Sequence, residues 1–127
     1  MKNNDNSNFN GYEAKGNGRL PHQDLIAFQV CKELLLAIKA ADIRDTKLRD
    51  EAIEAAKAAC INCYEGAGAA SWGNKRRAYS IARGEASEAA GCVDIAAALD
   101  SIRPGAEIEI FRIAARAIAL LTKLSRH

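Results

Sequence analysis

The stretch INCYEGAGAASWGNKRR, residues 61–77, separates two Ala-rich segments that both have helical periodicity. It contains two closely spaced glycines, Gly66 and Gly68, followed by three consecutive cations. Either glycine can close a helix in the left-handed conformation, and Ser71 or Asn74 is suited to cap a following helix. The stretch therefore predicts a helix end, a corner and a basic helix start.

Outward from this corner, apolar residues recur at helical spacing along most of the chain, and no strand-like alternation competes. The inner faces predicted from this spacing include Ile26 on the first helix and Ile81 and Leu99 on the third. The predicted helices run from Pro21 to about Ala41, from an Asp45 or Thr46 cap to about Tyr64, over about 74–101, and over about 106–125. Short links between four helices predict an all-α, up-down-up-down four-helix bundle.

Composition divides the chain of 127 residues into one domain and a tail. Residues 1–19 are rich in Asn and Gly and predict a disordered polar tail, which leaves residues 20–127 for the four-helix bundle domain. The sequence shows no secretory leader and no apolar run as long as a membrane span. With four cysteines and no such signal, we expect a cytoplasmic protein with reduced thiols and no membrane partner.

Two features indicate self-association. The predicted fourth helix confines its polar residues to one narrow line, so its apolar arc is wider than a single core requires. The third helix carries Ser80, Gly84, Ser87 and Gly91 along one face, although glycine in a helix costs up to about 1 kcal/mol against alanine. We expect another backbone to approach this face closely, either within the bundle or from another subunit.

Catalytic and cofactor chemistry is not predicted. The Gly-x-Gly at 66–68 lacks the preceding strand and the longer glycine frame of a phosphate-binding loop. Cys60 and Cys63 form a C-x-x-C pair, and Cys31 and Cys92 could complete a four-thiolate zinc site. The preferred interpretation is that all four cysteines are small buried side chains, with no catalytic residue, no metal and no cofactor.

Cations are concentrated on the two C-terminal helices. A run of cations in the first turn of a helix is unfavourable for the helix dipole, so acids, solvent or an anionic partner must compensate it. If the chain forms a ring, the cations are repeated around it and create a strong field for phosphate. The candidate nucleic-acid-binding residues are Arg76, Arg77, Arg83, Arg112, Arg116, Lys123 and Arg126.

Three segments resemble the four helix bundle protein family, whose members are often labelled 23S rRNA intervening-sequence proteins. They are NCYEGAG (62–68), KRRAYSIARGEASEAA (75–90) and FRIAARAIALLTKL (111–124). The residues that match the family motifs are Asn62, Glu65, Gly66, Gly68, Gly84 and Glu88. For Asn62 and Glu65, we expect a structural role, with both side chains turned toward the backbone of the corner.

The resemblance, which covers about residues 20–126, implies a ring-shaped homo-oligomer, with a homopentamer expected. It also implies kinship with the accessory variability determinant of diversity-generating retroelements, which binds nucleic acid and a reverse transcriptase. We therefore expect a non-enzymatic accessory protein for structured RNA or DNA, with a reverse transcriptase as a further partner. The alternative is an oligomeric protein-interaction adaptor without nucleic-acid affinity.

Overall fold

The computed structural model describes residues 18–126, which form four α-helices and contain no strand. A short 3-10 helix, Pro21–Asp24, precedes them. The helices are α1 (Ile26–Ala41), α2 (Thr46–Gly68), α3 (Trp72–Ala98) and α4 (Ala106–Leu124). Each helix packs against its neighbours in the cyclic order α1, α2, α3, α4, which leaves α2 diagonal to α4. The prediction of an all-α fold with four helices is confirmed, whereas its assembly into a ring stays a prediction.

Two of the four helices, α2 and α3, begin with a side-chain cap. The Asp45 side chain accepts a hydrogen bond from the Leu48 backbone N–H at 2.9 Å, and the Ser71 hydroxyl accepts one from Asn74 at 3.1 Å. These bonds satisfy N–H groups that have no partner within the helix. The predicted start of the first helix at Pro21 is wrong, because Leu25 is extended and α1 begins only at Ile26.

The glycines at the α2–α3 corner do not behave as the sequence predicts. α2 continues past Tyr64 through both Gly66 and Gly68, and neither has a positive φ. The Ala69 N–H donates to the Gly66 carbonyl at 3.2 Å, so this carbonyl is satisfied without a left-handed residue. The prediction of a left-handed glycine here is therefore wrong.

The core is asymmetric in side-chain size. α1 and α4 contribute large side chains such as Leu34, Ile38, Ile110 and Leu121, all fully buried. α2 and α3 face each other mainly through small residues, and α2 packs most extensively against α3. Small side chains at a contact let helix axes approach closely. The buried alanines of these two helices are Ala52, Ala55, Ala56, Ala59, Ala78, Ala82, Ala86, Ala89 and Ala96.

One end of the bundle is fixed by contacts between its two loops. The Ser101 carbonyl accepts from the Arg44 N–H at 2.7 Å, and its hydroxyl accepts from the Asp45 N–H at 2.6 Å. Ser101 is itself buried. The α2–α3 corner lies at the opposite end, together with the C-terminus of α4, because adjacent helices are antiparallel.

Three predicted core residues face outward. Ile26 and Ile81 are exposed, and Leu99 is 61% exposed just beyond the end of α3. The inner face of α3 follows its alanines and Val93 instead, so Ile81 falls outside the buried arc. The sequence pattern overestimated this arc because exposed and buried apolar residues alternate at similar spacing on α3.

Predictions for the two termini fall partly outside the described residues. Of the predicted tail, residues 1–17 lie outside that range, and so does the last residue of the predicted bundle domain. Arg19 is described, and its guanidinium forms an ion pair with Asp24 at 2.8 Å. No helix of residues 18–126 is long and apolar enough to span a membrane.

Candidate nucleic-acid interface and corner cleft

The cations of α4 lie on its outward face. Arg112, Arg116 and Lys123 are exposed, opposite the buried positions of this helix. Arg112 forms an ion pair with Glu109 one turn earlier. Arg112 and Lys123 are separated by about 16 Å along the helix axis, at about 1.5 Å per residue. The predicted polar line therefore faces solvent, with Glu109 at its start and cations along the rest.

At the start of α3, the first of the three consecutive cations has a structural role. The Lys75 ammonium donates to the carbonyls of Gly66 at 3.1 Å and Ala67 at 3.0 Å. A cation at a helix C-terminus is favourable for the dipole. The end of α2 therefore compensates this charge, while Arg76 and Arg77 are exposed.

A hydrogen bond between α3 and α4 brings the two groups of cations together. The Arg83 Nε donates to the Thr122 hydroxyl at 2.7 Å, and Thr122 in turn donates to the Ile118 carbonyl. Because α3 and α4 are antiparallel, the α3 cations share one end of the bundle with Lys123 and Arg126. Arg112 and Arg116 continue the row toward the other end.

The residues matching the family motifs have different environments. Gly66 is buried, and a Cβ there would lie 2.6 Å from the Tyr79 ring, so close packing requires glycine. An added Cβ at Gly68 or Gly84 would meet nothing within 4 Å. Glu88 is exposed, and its charge is a secondary cause, after burial, of the raised pKa of Glu85.

Asn62 and Glu65 do not make the predicted contacts with the corner backbone. Asn62 donates to the Ala58 carbonyl of its own helix at 2.9 Å. Glu65 is exposed and has no hydrogen bond or ion pair to any residue in 18–126. The structural role predicted for Glu65 is therefore wrong, and Lys75 carries it instead.

A cleft of about 330 Å³, which no sequence motif indicates, lies between the last turns of α2 and the first turns of α3. Like Glu65, Arg77 has no side-chain partner here, because no residue in 18–126 forms an ion pair or hydrogen bond with its guanidinium. A carboxylate and a guanidinium thus face one cleft without pairing. Its lining residues are Asn62, Glu65, Ala69, Asn74, Arg77, Ala78 and Ile81.

The four cysteines are all buried, as expected for small core side chains. The Cys31 and Cys63 sulfurs lie 3.7 Å apart. Burial raises the pKa of Cys60 to about 12, and the hydrogen bond with Cys31 raises that of Cys63. In the described part of the chain, no group of three or more His, Cys, Asp or Glu side chains is arranged to hold a metal ion. The zinc alternative therefore has no ligand set within this range.

The helices that carry these cations, α3 and α4, also have apolar side chains outside the core. Trp72, at the start of α3, is 63% exposed, and Ile108 on α4 is 60% exposed. Leu120 and Leu124 contribute to an apolar groove of about 510 Å³ between α4 and the start of α1. The wide apolar arc predicted for α4 is therefore only partly covered.

Comparison of the chain with protein-family models finds no match, and comparison with curated proteins finds none either.

Proposed function

We propose that this chain is a non-catalytic, self-associating helical bundle that binds structured RNA or DNA through α3 and α4. By the resemblance of its motifs, it belongs with ring-forming accessory proteins of the cytoplasm, as a homopentamer with a reverse transcriptase as a further partner. Its alternative role is an adaptor that binds only proteins.

Charge segregation on the two adjacent helices is the observation that supports this proposal. Segments 72–84 and 110–126 contain eight cations and no acid. The chain as a whole carries only +2, so the remainder is net negative. A cluster of cations on a nearly neutral protein attracts a polyanion, which releases its counterions on binding.

The dimensions of the α4 row suit a phosphate backbone. A row of about 16 Å faces about five base pairs of duplex, at about 3.4 Å each. Arg116 and Lys123 have no partner within residues 18–126, so phosphate contact costs them no existing ion pair. The exposed Trp72 adds a surface on which an unpaired base can stack.

The outer face of α3 supports self-association. Gly84 and Gly91 are exposed, and an added Cβ at either would meet nothing within 4 Å. No other backbone of the same subunit therefore packs closely against Gly84 or Gly91, so the prediction of a close approach within the bundle is wrong. Exposed Ile95 and Leu99 continue this side of the helix toward its C-terminus. A second subunit packed on this face would bury apolar area and account for the small residues.

Nucleic-acid binding is tested by fluorescence anisotropy with a structured RNA and a DNA duplex over a salt series. The Arg112→Glu/Arg116→Glu variant should weaken binding and lower the dependence of log affinity on log salt by about 2. Lys47→Glu/Lys57→Glu is the matched control, because it makes the same charge change on α2, diagonal to α4. Absence of parent binding even at low salt would leave the adaptor as the better function.

Assembly is tested by analytical ultracentrifugation of Gly84→Leu. We expect this variant to retain its helical circular dichroism, because the site is open within the subunit, and to lose its oligomeric mass. Gly68→Leu is the control, since it also places a leucine at an open, exposed glycine but lies outside the α3 face. An unchanged mass for Gly84→Leu would exclude this face as the subunit contact.

A further inference from the structure

The corner cleft is lined by hydrogen-bond acceptors and donors, and those of Glu65 and Arg77 have no partner within residues 18–126. Glu65 offers two acceptor oxygens, and Arg77 offers donors. Asn62 uses its amide N–H on the Ala58 carbonyl, which leaves its side-chain oxygen as a further acceptor. The amide side chain of Asn74 also borders the cleft, and Ala69, Ala78 and Ile81 provide an apolar wall.

This mixture excludes simple ions. An anion alone would face the Glu65 carboxylate, and a cation alone would face the Arg77 guanidinium. The volume of about 330 Å³ is at the lower end of the range for small-molecule sites, about 300–1,000 Å³. The fitting ligand is therefore small, partly apolar, and carries hydrogen-bond donors on one edge and an acceptor or negative charge on another.

A guanine base joined to its phosphate has these properties. Guanine presents two adjacent donors, N1–H and the N2 amino group, which together match one carboxylate. Adenine and cytosine each present one amino donor beside a ring acceptor that would face the carboxylate. Uracil presents one N–H between two carbonyls. Single-stranded bases are commonly recognised on these edges when they are splayed out of a helix.

We propose that the cleft binds an unpaired guanine of the nucleic acid held by α3 and α4, an inference that rests on the proposed function. Glu65 accepts hydrogen bonds from guanine N1–H and the N2 amino group. Arg77 donates to the adjoining phosphate, Asn74 donates to the guanine O6, and Ile81 covers one face of the base. Arg77 directly follows Arg76 in the acid-free segment 72–84, so the cleft adjoins the α3 part of the proposed interface.

The test uses an RNA hairpin with a single loop guanosine, compared with the same hairpin carrying inosine, adenosine or uridine. Inosine lacks only the N2 amino group. We expect the parent to bind the guanosine hairpin about 10-fold more tightly than the inosine hairpin, within the range for a bidentate base contact. Glu65→Gln should abolish this preference, because the variant places an amide donor opposite the N2 amino group that distinguishes guanosine from inosine. Glu51→Gln, the same change at the other end of α2, should keep the preference.

A second arm separates this inference from the proposed function. Guanosine and inosine 5′-monophosphates are titrated while the backbone amide NMR signals of residues 62–81 are followed. Equal affinity for guanosine and inosine hairpins, with no guanosine-specific shifts, overturns the base site but leaves RNA binding intact. Guanosine-specific shifts without hairpin binding support the base site and overturn the proposed function. If neither guanosine-specific shifts nor hairpin binding is observed, both the base site and the proposed function are overturned.

Discussion

Gly66 and Gly84 are the same residue type inside helices, but they have opposite surroundings. At Gly66 a Cβ would lie 2.6 Å from the Tyr79 ring, whereas at Gly84 it would meet nothing within 4 Å. Each costs its helix up to about 1 kcal/mol relative to alanine. The ring contact at Gly66 explains that cost within the subunit. At Gly84 the subunit offers no such contact, and the subunit interface proposed above would account for the cost.

Gly66→Ala should produce the largest effect on folding. The added methyl overlaps a buried ring, and overpacking of this kind costs about 1–3 kcal/mol, while better helix propensity returns up to about 1 kcal/mol. We expect a net loss of unfolding free energy, measured by urea denaturation. Gly84→Ala is the matched control and should cause no such loss. A double-mutant cycle with Tyr79→Leu should give a coupling energy of about 0.5–3 kcal/mol between the two sites. Additive effects would contradict the ring contact as the cause.

Lys75→Met should have the next largest effect, again at the corner. The variant keeps an apolar stem of similar length but loses two hydrogen bonds to the last carbonyls of α2. We expect a loss of about 1–2 kcal/mol in unfolding free energy. Lys39→Met is the control, because Lys39 lies in the last turn of α1 and its side chain forms no hydrogen bond within residues 18–126. This variant should cost less than about 1 kcal/mol. Equal losses would mean that the general dipole effect, and not the Lys75 contacts, stabilises the corner.

Glu85→Gln should have the smallest effect and lies on α3, away from the corner. Burial and then the Glu88 charge raise the pKa of Glu85 in the folded protein. A raised carboxyl pKa stabilises the fold below the unfolded pKa, and that contribution is lost as pH rises through the folded pKa. The variant should therefore match the parent at low pH and exceed it near neutrality by no more than about 0.5 kcal/mol. Thermal melts from pH 3.5 to 7.5 check this, and a gain confined to low pH would reverse the assigned sign.

Much of the fold follows from local patterns. Helical periodicity predicts four helices. Short polar side chains narrow two of the starts to a pair of caps each, Asp45 or Thr46 and Ser71 or Asn74, because capping depends on atoms within one turn. The structure uses Asp45 and Ser71. Helix ends were harder to predict. Gly66 and Gly68 look like a stop signal, yet α2 includes both, and Lys75 from the next helix donates hydrogen bonds to the carbonyls of Gly66 and Ala67.

The site was less predictable than the fold. The α4 cations could be placed on one exposed line because their spacing matches the helical repeat. The sequence could not predict that Glu65 and Arg77 lack ion-pair partners within residues 18–126, because this depends on which charged side chains tertiary packing places near them. The glycine pair and the neighbouring polar residues marked the right segment, but gave no sign of a cleft.

By itself, the sequence determined the helical class, the number of helices and the two acid-free cationic segments, 72–84 and 110–126, on the last two of them. These properties depend on residue spacing and composition, which act over one or two helical turns. Only the tertiary structure decided that Tyr79 packs on Gly66, that Lys75 completes α2, and that Glu65 and Arg77 share a cleft. Such contacts join residues on different helices, and their geometry follows from how the helices pack around the common core.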